Sequence, residues 1–272
     1  MNMVSGQAAR VSINGLKLNA RIDGTEGAPW MVCCNSLSVN LSAWDGLAAA
    51  FGSRFRLLRY DQRGHGDSDA PAEDFSMDDL ASDLLALMDG FHVDKAVLVG
   101  VSMGCVTVLR CAARAPSRCL GVVGCDGYWR SMPGAAAMWE ERFALARKGG
   151  MEAMAEPTVR RWFQPDFFTR EPDEVKRIKA MVAATKLEGY FGCGRALQGY
   201  DFSADHPALS VPALFLAGAQ DGDLPKLMKE MADATPGGRL QIIDDCGHLP
   251  NIEQPDAFRK ALDAFVHGLR IV

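Results

Sequence analysis

Apolar residues recur along this chain in two periods, and the changes from one to the other mark out its elements. Val11 and Ile13, then Leu16, Leu18, Ala20 and Ile22, alternate with polar positions on either side of Asn14-Gly15, so residues 11–23 predict a β-hairpin. A short unbroken apolar run follows at 30–34 and another strand is predicted at 55–60, with a helical pattern between them over 41–51. Met77, Leu80, Leu84, Leu87, Met88 and Phe91 share one face at helical spacing, and Ser76 with Asp79 makes a capping-box pair, which predicts a helix over 76–91. Ala96-Val97-Leu98-Val99 is apolar at every position, as in a strand of a parallel sheet buried on both faces. A helix over 102–115 should stop at Pro116. Strands are predicted at 120–124, 213–217 and 240–243, and a closing helix over 255–269 has Pro255 at its start and Phe258, Leu262, Phe265 and Leu269 facing inward.

Strands alternating with helices predict an α/β fold with a doubly wound, mostly parallel sheet. Residues 130–206 break the alternation. Helical segments are predicted there at 135–148, 157–162, 172–184 and 190–198, without a strand, as in a helical lid inserted between two strands. The expected organisation is a core over 1–129, a lid over 130–206 and the rest of the core over 207–272.

Composition narrows the class. With 48% apolar and 23% charged residues, the 272-residue chain has the balance of a globular protein. Its net charge of −5 is spread without a long single-sign run, so no nucleic-acid footprint is expected. Residues 1–21 lack the apolar centre of a secretory signal, and no apolar stretch approaches the roughly 20 residues of a membrane span. Most of the eight cysteines sit inside apolar runs and none forms a C-x-x-C pair. That usage predicts small buried hydrophobes in a reducing compartment, and hence a cytoplasmic protein.

The chemistry concentrates after strands. Gly100-Val101-Ser102-Met103-Gly104 is G-x-S-x-G between an all-apolar strand and a helix, the setting of a nucleophile elbow. Ser102 is the expected nucleophile, and the Met103 N–H, at the helix start, can face a developing oxyanion. A hydroxyl near neutral pH needs a base. His248 fits, in the turn-rich loop between the last strand and the last helix. Two acids compete to orient it: Asp221, in the loop after 213–217, and Asp126, after 120–124. Asp221 is preferred because Gly218 and Ala219 supply a tight turn to present it. Asp223 is expected to cap the following helix. Asn35-Ser36-Leu37-Ser38 follows the third strand, where a second oxyanion N–H, that of Leu37, is expected. Residues 61–68 (Asp-Gln-Arg-Gly-His-Gly-Asp-Ser) are expected to organise a loop beside the site, with an architectural His65. No nucleotide or metal signature appears, so no cofactor is expected. The aromatic residues of the lid should mostly pack it, and of Arg130, Arg142, Arg160 and Arg161 most should be solvated, while one turned inward could hold a substrate carboxylate.

Together these motifs resemble the α/β-hydrolase superfamily, and more narrowly the 3-oxoadipate enol-lactonase group. The resemblance is carried by Asn35-Ser36-Leu37, Tyr60 to Gly66, Gly100 to Gly104, Trp139-Glu140-Glu141-Arg142, Glu188-Gly189-Tyr190 and His248 to Pro255. It implies a serine esterase or lactonase acting on a small ester or lactone, with Ser36, Trp129, Trp139 and Arg142 near the substrate. The chain departs from the group's pattern at Cys105, where a glycine is usual, at Gln198-Gly199, where an Arg-Asp pair is usual, and at Asp126, where a neutral residue is common. The second departure leaves Arg142 as the candidate for a substrate carboxylate. Other readings on the same fold are a C–C bond hydrolase, a perhydrolase, an acyltransferase and a non-catalytic ligand receptor. The expected partners are the small-molecule substrate and, in a homodimer, a second copy of the chain, with neither nucleic acid nor membrane.

Overall fold

The hairpin forms as its pattern predicts. Strands β1 (Ala8–Ile13) and β2 (Leu16–Gly24) pair antiparallel across Asn14-Gly15, where both residues take positive φ, 48° and 80°. The computed structural model describes residues 6–269 and 271, so residues 1–5 of the start, where no secretory signal was expected, lie outside the described residues. The remaining strands are β3 (Trp30–Cys34), β4 (Arg56–Tyr60), β5 (Ala96–Val101), β6 (Cys119–Cys125), β7 (Ala213–Gly218) and β8 (Arg239–Ile243). They form one sheet in the order β1-β2-β4-β3-β5-β6-β7-β8, antiparallel as far as the β2–β4 pair and parallel from β4 onward. The helices are α1 (Asp45–Phe51), α2 (Met77–Gly90) and α3 (Met103–Arg114), then α4 (Ala135–Trp162), α5 (Phe167–Arg170), α6 (Pro172–Ala183) and α7 (Leu187–Ala196) between β6 and β7, and finally α8 (Leu224–Ala234), α9 (Pro250–Glu253) and α10 (Pro255–Gly268).

Successive strand residues point to opposite faces of the sheet and feed separate layers. Met31, Cys33, Val97, Val99, Val123 and Leu216 pack with Trp44, Phe51, Phe258, Leu262 and Phe265 of the α1 and α10 side. Val32, Cys34, Leu98, Val122 and Phe215 pack with Leu84, Val108, Met228 and Met231 from α2, α3 and α8. Apolarity at every strand position therefore reports burial on both faces. All eight cysteines are free and buried, as their apolar settings led us to expect. At the head of α2 the Ser76 hydroxyl accepts the Asp79 N–H (3.2 Å) while the Asp79 carboxylate accepts the Ser76 N–H (2.8 Å), a cap worth about 1 kcal/mol.

The inserted segment is helical but differently divided from the expectation. Residues 135–148 and 157–162 belong to one run, α4, bent where Gly150 takes φ 67° and ψ −175°. The short α5 was not expected, and α7 starts three residues ahead of the predicted 190, because Gly189, Gly192 and Gly194 weaken its local helical signal. A single bridge between Arg130 and Asp201 ties the ends of the insertion together. Among the described residues, no helix is long and apolar enough to cross a membrane. The parallel strands place the loops after β3, β5, β6, β7 and β8 at one edge of the sheet, the edge at which ligands of open α/β sheets bind.

Candidate active site

Between the end of β5 and the start of α3 stands one residue, Ser102. It turns the chain with φ 57° and ψ −116°, a conformation that costs a residue with a side chain about 1–3 kcal/mol. Two hydrogen bonds hold the turn: the Ser102 N–H donates to Cys125 O at 2.8 Å and the Val106 N–H to Ser102 O at 3.2 Å. The motif glycines permit the crossing. A Cβ on Gly100 would stand 2.1 Å from Gly104 O, and one on Gly104 would stand 2.2 Å from Cys34 O. Ser102 is thereby presented at the carboxyl edge, half-buried.

Two further loops bring partners to it. His248 Nε2 lies 2.8 Å from Ser102 Oγ, and His248 Nδ1 lies 2.6 Å from Asp221 Oδ2. The expected turn presents Asp221: its N–H donates to Gly218 O at 3.1 Å, and the Ala219 N–H donates to Ile243 O at 2.9 Å. Burial pushes the Asp221 carboxyl up, but the His248 imidazole, the Asp126 carboxyl and the Arg161 charge outweigh it and hold the group below the usual carboxylate value. The His248 loop is pinned to the end of α4. Its N–H donates to Trp162 O at 2.7 Å, and the Trp162 indole stacks on the imidazole at 6.1 Å and 21°. Buried Glu253 completes the clamp, accepting the N–H of Gly247 and that of Gln164, both at 2.6 Å. Glu253 stands in the motif that begins at His248, but nothing local links it to residue 164.

The Asn35–Ser38 turn is held from several sides. Asn35 donates to Tyr60 O (2.9 Å) and accepts from the Trp44 indole (2.8 Å), Gln62 Nε2 donates to Asn35 O (2.7 Å), and the Ser38 N–H donates to His65 Nε2 (2.8 Å). His65 Nδ1 lies 3.1 Å from Arg63 O, so the proton is assigned to Nδ1. Burial drives the His65 pKa down to about 4, partly offset by that carbonyl, so the ring is a neutral acceptor. This is the architectural task expected of the 61–68 loop. The N–H groups of Leu37 and Met103 donate to no protein group among the described residues, and both residues line the cavity over Ser102.

That cavity encloses about 370 Å³ and is lined by Ser36, Leu37, Ser102, Met103, Trp139, Arg142, Asp221 and His248, so most sequence candidates meet there. Arg142 lies over the Trp139 ring at 5.0 Å, as one-turn spacing on α4 requires. Arg161, one of the scattered arginines, also lines it. Neither guanidinium has a carboxylate partner within ion-pair distance among the described residues. Burial lowers the Arg142 pKa. Arg161 is exposed as a residue, yet burial of its charged end, reinforced by the Arg142 charge, brings it down to about 10.

Two expectations need correction, and the rival acid stands apart from the imidazole. Trp129 does not line this cavity: its ring packs edge-on against His206 at 4.9 Å, while the neighbouring Tyr128 faces the cavity. Asp223 stands at the head of α8 but makes no capping bond, having αR rather than extended backbone, and its residue lines the cavity mouth. Asp126 lines the cavity without bonding to His248, because that imidazole nitrogen is already taken by Asp221.

The family model for the α/β-hydrolase fold matches residues 29–255. The chain is 32% identical over 252 residues to 3-oxoadipate enol-lactonase 2 of Acinetobacter baylyi, covering 91% of this chain and 92% of that one. Among solved structures, the enol-lactonase from Burkholderia xenovorans LB400 superposes with a TM-score of 0.91 at 37% identity, over 95% of this chain and all of the other. A thermophilic esterase from Thermogutta terrifontis, solved with malate bound, has a TM-score of 0.89 at 26% identity, over 97% and 99% of the two chains. Sheet order, elbow, the placement of serine, aspartate and histidine on the loops after β5, β7 and β8, and these matches agree: the chain belongs to the α/β-hydrolase fold family.

Proposed function

We propose that this protein hydrolyses a small lactone or ester that carries a carboxylate, through an acyl-enzyme on Ser102, with residues 130–206 serving as the lid of the site. The observation that carries the reading is the unbroken hydrogen-bonded chain from Asp221 through His248 to Ser102 on the wall of a 370 Å³ cavity. Ser102 Oγ attacks the acyl carbon as His248 Nε2 takes its proton. The carbonyl oxygen becomes an oxyanion between the N–H groups of Leu37 and Met103. His248 then returns the proton to the leaving oxygen, which in a lactone stays tethered to the acyl group. Water, deprotonated by His248, attacks the acyl-enzyme and frees Ser102, while Asp221 holds the imidazole tautomer and balances its transient charge. Arg142 and Arg161, without acidic partners, would meet the substrate carboxylate. The enol-lactonase names of the relatives and the malate bound to the esterase support that choice. The free, buried thiols fit a reducing compartment, and we place the protein in the cytoplasm on that ground.

The test is turnover of a test lactone by the native protein and two variants. Ser102→Ala should remove hydrolysis and labelling by a fluorophosphonate, and Asp221→Asn should lower turnover about 10⁴-fold by presenting the wrong imidazole tautomer. Substantial turnover in Ser102→Ala would end the reading, and a larger loss in Asp126→Asn than in Asp221→Asn would move the acid to β6.

A further inference from the structure

Asp126, the rival acid of the sequence, directly follows β6 with φ 45° and takes a different task. Its N–H donates to Leu216 O at 3.0 Å, and its Oδ1 accepts the Gly218 N–H at 2.9 Å. It thus grips the end of β7 three residues ahead of Asp221, whose own N–H returns to Gly218 O. The side chain is sealed from solvent, and no N–H or O–H of the protein reaches Oδ2. The Asp126 carboxyl instead lies within hydrogen-bond reach of the Asp221 carboxyl. Two carboxylates are both acceptors, so they bond only when one of them holds a proton.

The surroundings decide which one does. Asp221 faces the His248 imidazole and the Arg161 charge, and both favour its ionised form. Asp126 is surrounded by acids and neutral groups: Asp221 from the β7 loop, Glu253 and the Cys246 thiol from the His248 side, Cys125 from its own strand and Cys105 from α3. Burial and the Asp221 charge push its carboxyl well above the usual range.

We infer that Asp126 is a positioning residue that stays a neutral acid at neutral pH and donates a hydrogen bond to the Asp221 carboxylate, keeping Asp221 Oδ2 turned toward His248 Nδ1. The inference rests on the triad proposed above. No atom of Asp126 touches the substrate in this role. When rising pH removes its proton, a donor beside Asp221 becomes a second buried negative charge, and the orientation of Asp221 is lost. Asp126 therefore sets an alkaline limit on activity.

Asparagine can keep both contacts, accepting from Gly218 and donating to Asp221, but cannot titrate. Asp126→Asn should retain most of the turnover near neutral pH and carry it to higher pH, whereas Asp126→Ala, which also strips the Gly218 N–H of its acceptor, should lose about 10- to 100-fold in kcat and melt at a lower temperature. Infrared spectra near neutral pH should contain the carbonyl stretch of a protonated carboxylic acid in the native protein and in Ser102→Ala, and lack it in Asp126→Asn. That band needs no turnover, so it separates the two readings: turnover surviving in Ser102→Ala defeats the triad, whereas a native protein without the band defeats the role given to Asp126. An alkaline limb unchanged in Asp126→Asn would overturn that role as well.

Discussion

Arg142→Ala removes one of three guanidinium groups that line the cavity, the others being Arg161 and Arg130, which lies over the Tyr128 ring. A charge-assisted hydrogen bond to a desolvated carboxylate is worth about 1.5–3 kcal/mol, so the variant should lose roughly one to two decades in kcat/KM on a carboxylate-bearing lactone. The structure places the loss toward the lower figure. Arg142 and Arg161 repel each other, and their proximity helps bring Arg161 down to about 10. Deleting Arg142 relieves that repulsion and leaves Arg161 better able to hold the anion. The double variant Arg142→Ala/Arg161→Ala, which lacks both members of this pair and keeps only Arg130 in the lining, should then lose more than the product of the single losses. The assay is steady-state hydrolysis of a matched pair of lactones, one with a free carboxylate and one with that group as its methyl ester. The losses should fall on the acid, mainly in KM, and spare the ester. Equal losses on both substrates would mean that Arg142 only packs on Trp139, and a native enzyme preferring the neutral member would refute the acidic substrate.

Two further outcomes follow from the clamp and the buried imidazoles. Glu253→Gln puts an amide donor opposite one of two N–H groups, so it should cost about 1–3 kcal/mol in a denaturant melt and lower kcat through a displaced His248; an unchanged melting midpoint would remove Glu253 from the clamp. His65 and His206 are both lowered by burial from 6.5 to about 4, so between these values the unfolded chain binds more protons than the folded one. Their stabilisation is complete above about pH 6.5 and is lost as the pH falls toward 4, by about 3 kcal/mol for His65 alone. Urea midpoints across that range should fall accordingly and fall less steeply in His206→Asn, which keeps a side chain able to meet Thr235; a flat native profile would contradict two buried neutral rings.

Much of this protein follows from its sequence because the deciding interactions are local or periodic. Unbroken apolarity over 96–99 demands burial on both faces, and the Ser76–Asp79 cap closes within one helical turn. The elbow is legible because Gly100 and Gly104 flank a serine between a strand and a helix. Ser102, His248 and Asp221 could be named because each follows a recognisable strand, and loops that follow parallel strands share one edge of the sheet.

What only the tertiary structure decided concerns groups far apart in the chain. Tyr128 and Trp129 are adjacent and both aromatic, so which of them faces the cavity depends on how β6 leaves the sheet. The prominence of Arg161 came from the bend at Gly150, which brings both halves of α4 to the same cavity. Glu253 meets residue 164, and Asp126 meets Asp221, across 89 and 95 positions of sequence. Periodicity and capping signals extend over a turn or a strand. Distances of that kind are set by strand order and packing, and it is there that a second aspartate beside the triad becomes a proton donor to the first.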